Sequence, residues 1–166
     1  MSEEALVAFL EKRKGILDGV VITGGEPTLQ LGLPQLLEKI RGLGFRIKLD
    51  TNGNRPDVLR QLVEAGLVDY VAMDIKNSPQ RYGATVGIEG FALDKVEESI
   101  RYLLSGPVEY EFRTTLVQPL HDETSVRAMA TWLTALAGGQ KIRRFFLQPF
   151  VDRDTVPVAG LSAPET

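Results

Sequence analysis

The chain has 166 residues, which suits one domain of ordinary size, and its 43% of apolar residues is enough to bury a core. Its formal net charge of -3 leaves no basic excess to attract nucleic acid, and no apolar run approaches the roughly 18 residues of a membrane helix. The acidic, helix-like N-terminus also lacks the basic start of a signal peptide. We therefore expect a cytoplasmic protein with neither a nucleic acid nor a membrane as its partner.

Apolar, β-rich runs alternate with amphipathic helical patterns along the chain. A helical pattern over residues 3–14 comes first. The β-rich runs follow at residues 19–23, 45–50, 69–76, 108–117 and 143–150. Apolar residues with the 3,4 spacing of a helix stand between them at Leu36, Leu37, Ile40 and Leu43; at Val58, Leu59, Leu62 and Val63; at Val96, Ile100, Leu103 and Leu104; and at Val126, Met129, Trp132, Leu133 and Leu136. This alternation predicts an α/β fold with a parallel sheet and right-handed connections.

Single residues predict where the helices begin and end, and the composition of the tail predicts where the domain ends. Asp94 and Asp122, or Thr124 in place of Asp122, are predicted N-caps. The predicted helix ends are Gly42, Gly66 and Gly138. We expect one domain over residues 1–150, followed by a tail of residues 151–166 that frays or packs as a loop, because the tail is rich in proline and small polar residues.

Every predicted strand ends in polar residues. The strand ends are Thr23-Gly24-Gly25-Glu26-Pro27, Asp50-Thr51-Asn52-Gly53, Asp74-Ile75-Lys76, Arg113-Thr114-Thr115 with Gln118-Pro119, and Gln148-Pro149. In parallel α/β folds, ligands bind at the edge where the carboxyl ends of the strands meet. The repetition of this pattern over five strands indicates a binding site there more strongly than any single residue does.

The turn after the first strand suits a cationic amine. Gly24 and Gly25 have no Cβ, so a ligand can approach their backbone closely. Glu26 adds a negative charge, and Pro27 suits the first turn of a helix. A phosphate site would need more glycines and a lysine, and would exclude the acid.

The later strand ends supply charges for the rest of such a ligand. Lys76 can bind a carboxylate, and Glu26 and Asp74 can bind an ammonium group. The three side chains together could therefore bind an amino-acid moiety. Asp50 can accept from hydroxyl groups such as those of a ribose, and Arg113 can pair with a carboxylate or stack on a flat ring.

Each of these features also has a purely structural interpretation. The Gly-Gly-Glu-Pro sequence can be ordinary turn chemistry, Asp74 and Lys76 can form a simple salt bridge, and Arg113 can face solvent. His121, the only histidine, is predicted to be a loop residue, and Trp132 is predicted to be a core residue. The structural interpretations weaken jointly, because the polar residues fall at the same end of successive strands.

Four motifs together resemble the radical S-adenosylmethionine (SAM) superfamily, and most of all the activating enzymes of glycyl radical proteins. They are "VVITGGEPTLQ", "IKLDTNG", "VAMDIK" and "FRTTLVQPLHDE", and the match runs from about residue 15 to about residue 150. The last motif is more similar to activators of anaerobic ribonucleotide reductase than to those of pyruvate formate-lyase. The resemblance implies a partial (β/α)6 barrel.

The resemblance also implies roles for the strand ends. Residues Thr23, Gly24, Gly25, Glu26 and Pro27 would bind the SAM amino group, and Lys76 its carboxylate. Asp50, Thr51 and Asp74 would line the ribose and methionine region, and Arg113 and Gln148 would complete the pocket. The implied cofactors are SAM and a 4Fe-4S cluster on a CxxxCxxC loop. The implied partners are a glycyl radical enzyme, of the anaerobic ribonucleotide reductase or pyruvate formate-lyase type, and an electron donor such as flavodoxin or ferredoxin.

The sequence departs from the family because it contains no cysteine. Thiolates ligate such a cluster, so no iron–sulfur ligand and no thiolate zinc ligand is expected in this chain, and we assign no metal-binding residue. We expect a truncated piece of a longer protein, rather than a degenerate gene product, that lacks the first strand and the cluster loop and is inactive alone. The exposed edge of the sheet would then favour dimerisation.

Three other functions stay open on the sequence. One is a cluster-less module that binds SAM or docks a glycyl radical protein. Another is a different short radical SAM enzyme, such as a synthase of the deazaguanine type. The third is an unrelated phosphate-binding α/β domain, against which the acidic side chain of Glu26 argues.

Overall fold

The computed structural model describes residues 2–151 and 160–163. Its helices are α1 (Glu3–Glu11), α2 (Leu33–Gly42), α3 (Pro56–Glu64), α4 (Tyr82–Val86), α5 (Asp94–Leu104) and α6 (Glu123–Leu136), with a 3-10 helix at Pro27–Leu29. Its strands are β1 (Gly19–Ile22), β2 (Arg46–Thr51), β3 (Tyr70–Asp74), β4 (Glu109–Leu116) and β5 (Phe145–Pro149). Most of the predicted tail lies outside the described residues. In the part described, no helix has both the length and the apolar character needed to span a membrane.

The five strands form one parallel sheet in the order β1-β2-β3-β4-β5. Each strand therefore pairs with its neighbour in the sequence, and a helix stands between each pair. This confirms the predicted parallel α/β architecture with about five strands. Among the described strands, β1 and β5 are the two edges of the sheet.

The two faces of the sheet differ in chemistry because side chains alternate along each strand. One face packs against the helices through buried residues such as Leu49, Met73 and Phe112. The opposite face carries charged residues, and its centre is formed by Lys48, Asp50, Tyr70, Asp74, Glu111 and Arg113. Both faces of a parallel sheet are usually apolar, so a face with this many charged residues is unusual.

Most helices have the predicted positions, with three corrections. Asp122 caps α6 as predicted, and its side chain accepts from Ser125 N in a capping box. Asp94, in contrast, is the first residue of α5, and the N-cap is Leu93, which makes no side-chain cap. α1 ends at Glu11 rather than at residue 14, and α4 was not predicted. Trp132 packs against the core as predicted, although it is only half-buried, and its Nε1 donates to Glu97 at 2.9 Å.

A buried hydroxyl joins α5 to the turn after β2, and this contact gives a stability prediction. Ser99 Oγ donates to the carbonyl of Gly53 at 2.7 Å, and Ser99 is fully buried. In Ser99→Ala the carbonyl loses its partner, so we expect the free energy of unfolding to fall by about 1–3 kcal/mol. Chemical denaturation measures this change. The control is Ser105→Ala, whose hydroxyl is exposed and should contribute about 0.5 kcal/mol or less. Equal losses in the two variants would contradict the prediction.

Candidate functional site

A polar cavity lies at the carboxyl ends of the first four strands. Its volume is about 140 Å³. Its lining residues are Thr23, Gly24, Gly25, Glu26, Asp50, Thr51, Asn52, Asp74, Lys76 and Arg113. The fold thus brings nine of the eleven predicted site residues around one space, although the sequence separates them by up to 90 residues (Thr23 to Arg113). Their role toward a ligand stays a prediction.

Pro27 and Gln148 do not line this cavity. Pro27 is buried and begins the 3-10 helix that follows the turn, so its role is to start that helix. Gln148 is exposed on β5, where it pairs in register with Thr115 of β4. Gln148 lies on the same face of the sheet as Phe146, which pairs in register with Arg113. It is two residues closer than Phe146 to the carboxyl end of β5.

The two glycines leave the backbone of the turn accessible. Gly24 has φ of +141°, a conformation that residues with a Cβ rarely adopt. A Cβ built on either Gly24 or Gly25 would meet no atom within 4 Å, so the glycines are not required by packing against the protein. Open space beside an exposed backbone is what a bound polar group needs.

Glu26 joins two turns of the site. Its Oε1 accepts from Thr28 N at 3.1 Å, from Thr28 Oγ1 at 2.6 Å and from Thr51 Oγ1 at 2.8 Å. Its Oε2 accepts from Asn52 N at 2.7 Å. The carboxylate therefore fixes the end of β1 against the end of β2, and only Oε2 keeps capacity for a further donor. The sequence suggested an ammonium acceptor, whereas the geometry adds a structural role.

Arg113 lies between two carboxylates. Its Nη2 is 3.1 Å from Asp74 Oδ1 and 3.3 Å from Asp50 Oδ2, and the Arg113 side chain is only 18% exposed. Burial lowers the pKa of the Arg113 guanidinium, but the charges of Asp74 and Asp50 outweigh it and the net pKa is raised. Arg113 does not face solvent. It neutralises two acids that would otherwise repel one another.

Two buried polar atoms of this group have no hydrogen-bond partner within the part of the chain that the structure describes. They are Asp50 Oδ1, an acceptor, and Arg113 Nε, a donor. Buried polar atoms are nearly always satisfied in folded proteins, so each unsatisfied atom calls for a partner from outside the protein, such as a ligand or water. A hydroxyl group, which donates and accepts, could satisfy either of them.

Lys76 stands just past the end of β3 with part of its hydrogen-bonding capacity free. Its Nζ donates to Asp74 Oδ2 at 2.9 Å, and its side chain is 41% exposed. An ammonium group has three donors, so two remain for a ligand. The salt bridge that the sequence offered as an alternative therefore exists, and it leaves Lys76 able to bind an anion as well.

A second polar cluster lies directly below the cavity, and the sequence reasoning missed it. Lys48 Nζ donates to Glu111 Oε1 at 3.0 Å, and the Tyr70 hydroxyl donates to Glu111 Oε2 at 3.0 Å. Burial raises the pKa of Glu111, but hydrogen bonds from Lys48 and Tyr70 outweigh burial and hold the pKa of that carboxyl below its usual value. The alternation of side chains along a strand could have predicted this cluster. Lys48 lies two residues before Asp50, and Glu111 lies two residues before Arg113, so each pair shares a face of the sheet.

Five parallel strands flanked by helices, with a charged cavity at the carboxyl ends of four strands, define this molecule as a partial (β/α) barrel. The sequence profile of the radical SAM superfamily matches residues 1–130, and the chain belongs to that superfamily. The fold, the motifs and the profile therefore agree.

Known proteins similar to the chain include activating enzymes and synthases. A protein of Methanocaldococcus jannaschii classed as a glycyl-radical enzyme activating enzyme is 35% identical over 117 residues, which are 68% of this chain and 49% of the relative. A 7-carboxy-7-deazaguanine synthase of Thermococcus kodakarensis is 40% identical over 102 residues, which are 61% of this chain and 38% of the relative. The chain thus spans about half or less of the length of these relatives.

A solved structure supports the fold. A domain of the pyruvate-formate lyase-activating enzyme from Bacteroides vulgatus superposes with a TM-score of 0.69 at 19% identity. The match covers 90% of this chain and 86% of that domain. At this identity the comparison establishes the partial barrel and leaves substrate and partner to be proposed.

Proposed function

We propose that residues 1–150 form the SAM-binding domain of a radical SAM activase, which makes a glycyl radical on a partner such as anaerobic ribonucleotide reductase. The observation that carries the proposal is the shared cavity, in which the glycine turn, two carboxylates, Lys76 and Arg113 meet. The 35% identity to an activating enzyme supports the choice of an activase. The site would work in the cytoplasm with a flavodoxin or ferredoxin as electron donor.

The cavity suits the amino-acid end of SAM. Three carboxylates, Glu26, Asp50 and Asp74, outnumber the two cations, Lys76 and Arg113, so the lining favours a ligand with net positive charge, such as a sulfonium bearing an amino acid. Its 140 Å³ is below the roughly 300 Å³ of common ligand pockets, so the cavity encloses only one end of SAM. The remainder would lie over the open charged face.

The residues of the site have distinct proposed roles. The backbone of Gly24 and Gly25 binds the ammonium group, and Glu26, which accepts from Thr28 N and Asn52 N, offers Oε2 to the same group. Lys76 binds the carboxylate. Asp50 Oδ1 accepts from a ribose hydroxyl, which would give a hydrogen bond to an atom that has none within the described residues, although Lys48 Nζ lies 4.0 Å away.

The residues of this chain do not fit an iron–sulfur cluster. Thiolates are the ligands of such clusters, and the sequence has no cysteine. In this proposal the thiolates lie outside the 166 residues, and the chain by itself forms no 5'-deoxyadenosine. The free edge of β1 would serve to pair with another strand, including that of a second copy.

A second candidate is a radical SAM synthase of the deazaguanine type. The 40% identity over 102 residues to the synthase from Thermococcus kodakarensis favours it. Both candidates use the same SAM cavity and differ in what lies beyond it. The discriminating test is binding of a glycyl radical enzyme, which only the activase requires.

The proposal predicts that SAM binds and that two side chains control the affinity. In isothermal titration calorimetry, Lys76→Ala should weaken binding by about tenfold or more, because an ion pair with the SAM carboxylate is lost. Glu26→Ala should weaken it to a similar extent, because four hydrogen bonds that fix the turn disappear.

The controls repeat the same chemistry away from the cavity. Lys39→Ala removes an ammonium group that pairs with Glu3 on the surface, and Glu98→Ala removes a carboxylate that pairs with Arg60. Neither should change the affinity. If the unmodified chain does not bind SAM, or if the control variants weaken binding as much as the site variants, the proposed site is wrong.

A further inference from the structure

His121 contacts the end of β3 from the loop between β4 and α6. It is the only histidine of the chain, it is 6% exposed, and both ring nitrogens have backbone partners. Val117 N donates to Nδ1 at 3.1 Å, so Nδ1 carries no proton, and Nε2 donates to the carbonyl of Lys76 at 2.8 Å. The Val117 carbonyl, 3.2 Å from Nδ1, accepts from His121 N at 2.9 Å.

The residues on either side of Lys76 are also held by side chains. Thr114 Oγ1 donates to the carbonyl of Ile75 at 2.7 Å, and Asn77 Nδ2 donates to the carbonyl of Leu120 at 2.9 Å. Asn77, Thr114 and His121 are all buried. The segment of residues 75–77 lies beyond β3, which ends at Asp74. One backbone hydrogen bond to β4, from Ile75 N to the Arg113 carbonyl at 2.7 Å, continues the ladder, and the side-chain contacts add to it.

We propose that His121 is a positioning residue for Lys76. This inference rests on the proposed function, in which the Lys76 ammonium binds the carboxylate of SAM. The imidazole fixes the backbone from which the Lys76 side chain reaches the cavity, through the hydrogen bond that Nε2 donates to the Lys76 carbonyl. Lys76 is thereby held at the site by a residue that does not itself line the cavity.

Two substitutions separate this role from simple packing, because each keeps one half of the imidazole contacts. In His121→Gln the side-chain amide nitrogen takes the place of Nε2 and can still donate to Lys76. In His121→Asn the amide oxygen takes the place of Nδ1 and can accept from Val117, but no donor reaches Lys76. Both variants lose the ring, so their thermal midpoints should fall by similar amounts.

The expected result is a difference in SAM affinity between two similarly stable variants. By calorimetry, His121→Asn should weaken SAM binding by about tenfold, and His121→Gln should weaken it by about threefold or less. Equal loss of affinity in both variants would overturn the inference, because a packing role does not distinguish them.

Amide hydrogen exchange without SAM tests the inference independently of the proposed function. Exchange in residues 75–78 should become about tenfold faster in His121→Asn than in His121→Gln, because only the first variant releases the Lys76 carbonyl. If exchange is the same in both, the positioning role is wrong. If SAM does not bind the unmodified chain, the proposed function fails and exchange alone decides the role of His121.

The unmodified protein provides a last check that needs no stable variant. Nitrogen-15 NMR of the ring should show an unprotonated Nδ1 and a protonated Nε2 at neutral pH. An unprotonated Nε2, with the proton on Nδ1 alone, would remove the donor to Lys76 and overturn the inference.

Discussion

Gly53→Ala should lower the free energy of unfolding by about 3 kcal/mol. Gly53 follows β2 with φ of +74°, which disfavours any residue with a Cβ. The added Cβ would also lie 2.0 Å from Met73 Cε and 2.9 Å from Met73 Sδ. Met73 is completely buried, so its flexible side chain can move only by disturbing the core. For a chain of this size, the thermal midpoint should fall by roughly 6–12 °C.

Gly66→Ala is the matched control, because it separates backbone strain from the clash. Gly66 has φ of +66°, but an added Cβ there meets no atom within 4 Å. It should cost about 1 kcal/mol, the cost of the backbone conformation alone. In a Met73→Ala background the cost of Gly53→Ala should shrink toward the same value. If the two alanine substitutions cost the same in the unmodified chain, the contact with Met73 is not the cause.

Arg113→Met should lower the free energy of unfolding by about 2 kcal/mol and abolish the proposed SAM binding. The substitution keeps most of the side-chain volume and removes the charge, which leaves Asp50 and Asp74 without their common partner. The charges of Asp74 and Asp50 raise the folded-state pKa of Arg113 above its already high usual value, so its contribution is fully present at every pH below that usual value and would be lost only in stronger base. Denaturation at pH 6 and pH 9 should therefore give the same loss.

The surface ion pair of Arg127 with Glu123 provides the control for Arg113. Both side chains are about four-fifths exposed, at 77% and 79%. Arg127→Met should cost about 0.5 kcal/mol or less. A similar cost for Arg113→Met would mean that the two acids of the cavity are solvated well enough without the guanidinium.

The sequence predicted the elements well because their signals are local. The 3,4 spacing of Leu59, Leu62 and Val63 and the β-rich run before Asp50 are complete within about ten residues each. The carboxyl ends of the strands lie at the same edge of every parallel sheet. The common location of Glu26, Lys76 and Arg113 therefore followed from their positions at the ends of predicted strands.

The hydrogen-bond partners in the site could not be predicted, because they depend on distances across the sheet. Glu26 accepts from Asn52 N, 26 residues later, and Lys48 pairs with Glu111, 63 residues later. The role of Asp94 failed for a different reason: its residue type suits an N-cap, yet α5 begins one residue earlier than that role requires. His121 was placed in a loop correctly, but its burial depends on the neighbouring end of β3.

The strand order has a consequence for how strongly different parts of the cavity resist local opening. β3 lies at the centre of the sheet and has a hydrogen-bonded strand on each side, whereas β1 has β2 alone among the strands of the described residues. The glycine turn is thus attached to a strand that separates from the sheet at lower free energy than the strand that carries Asp74. A ligand that contacts both the glycine turn and Asp74 would link a strand that opens easily to one that does not. Its binding would therefore raise the free energy of local opening most for β1.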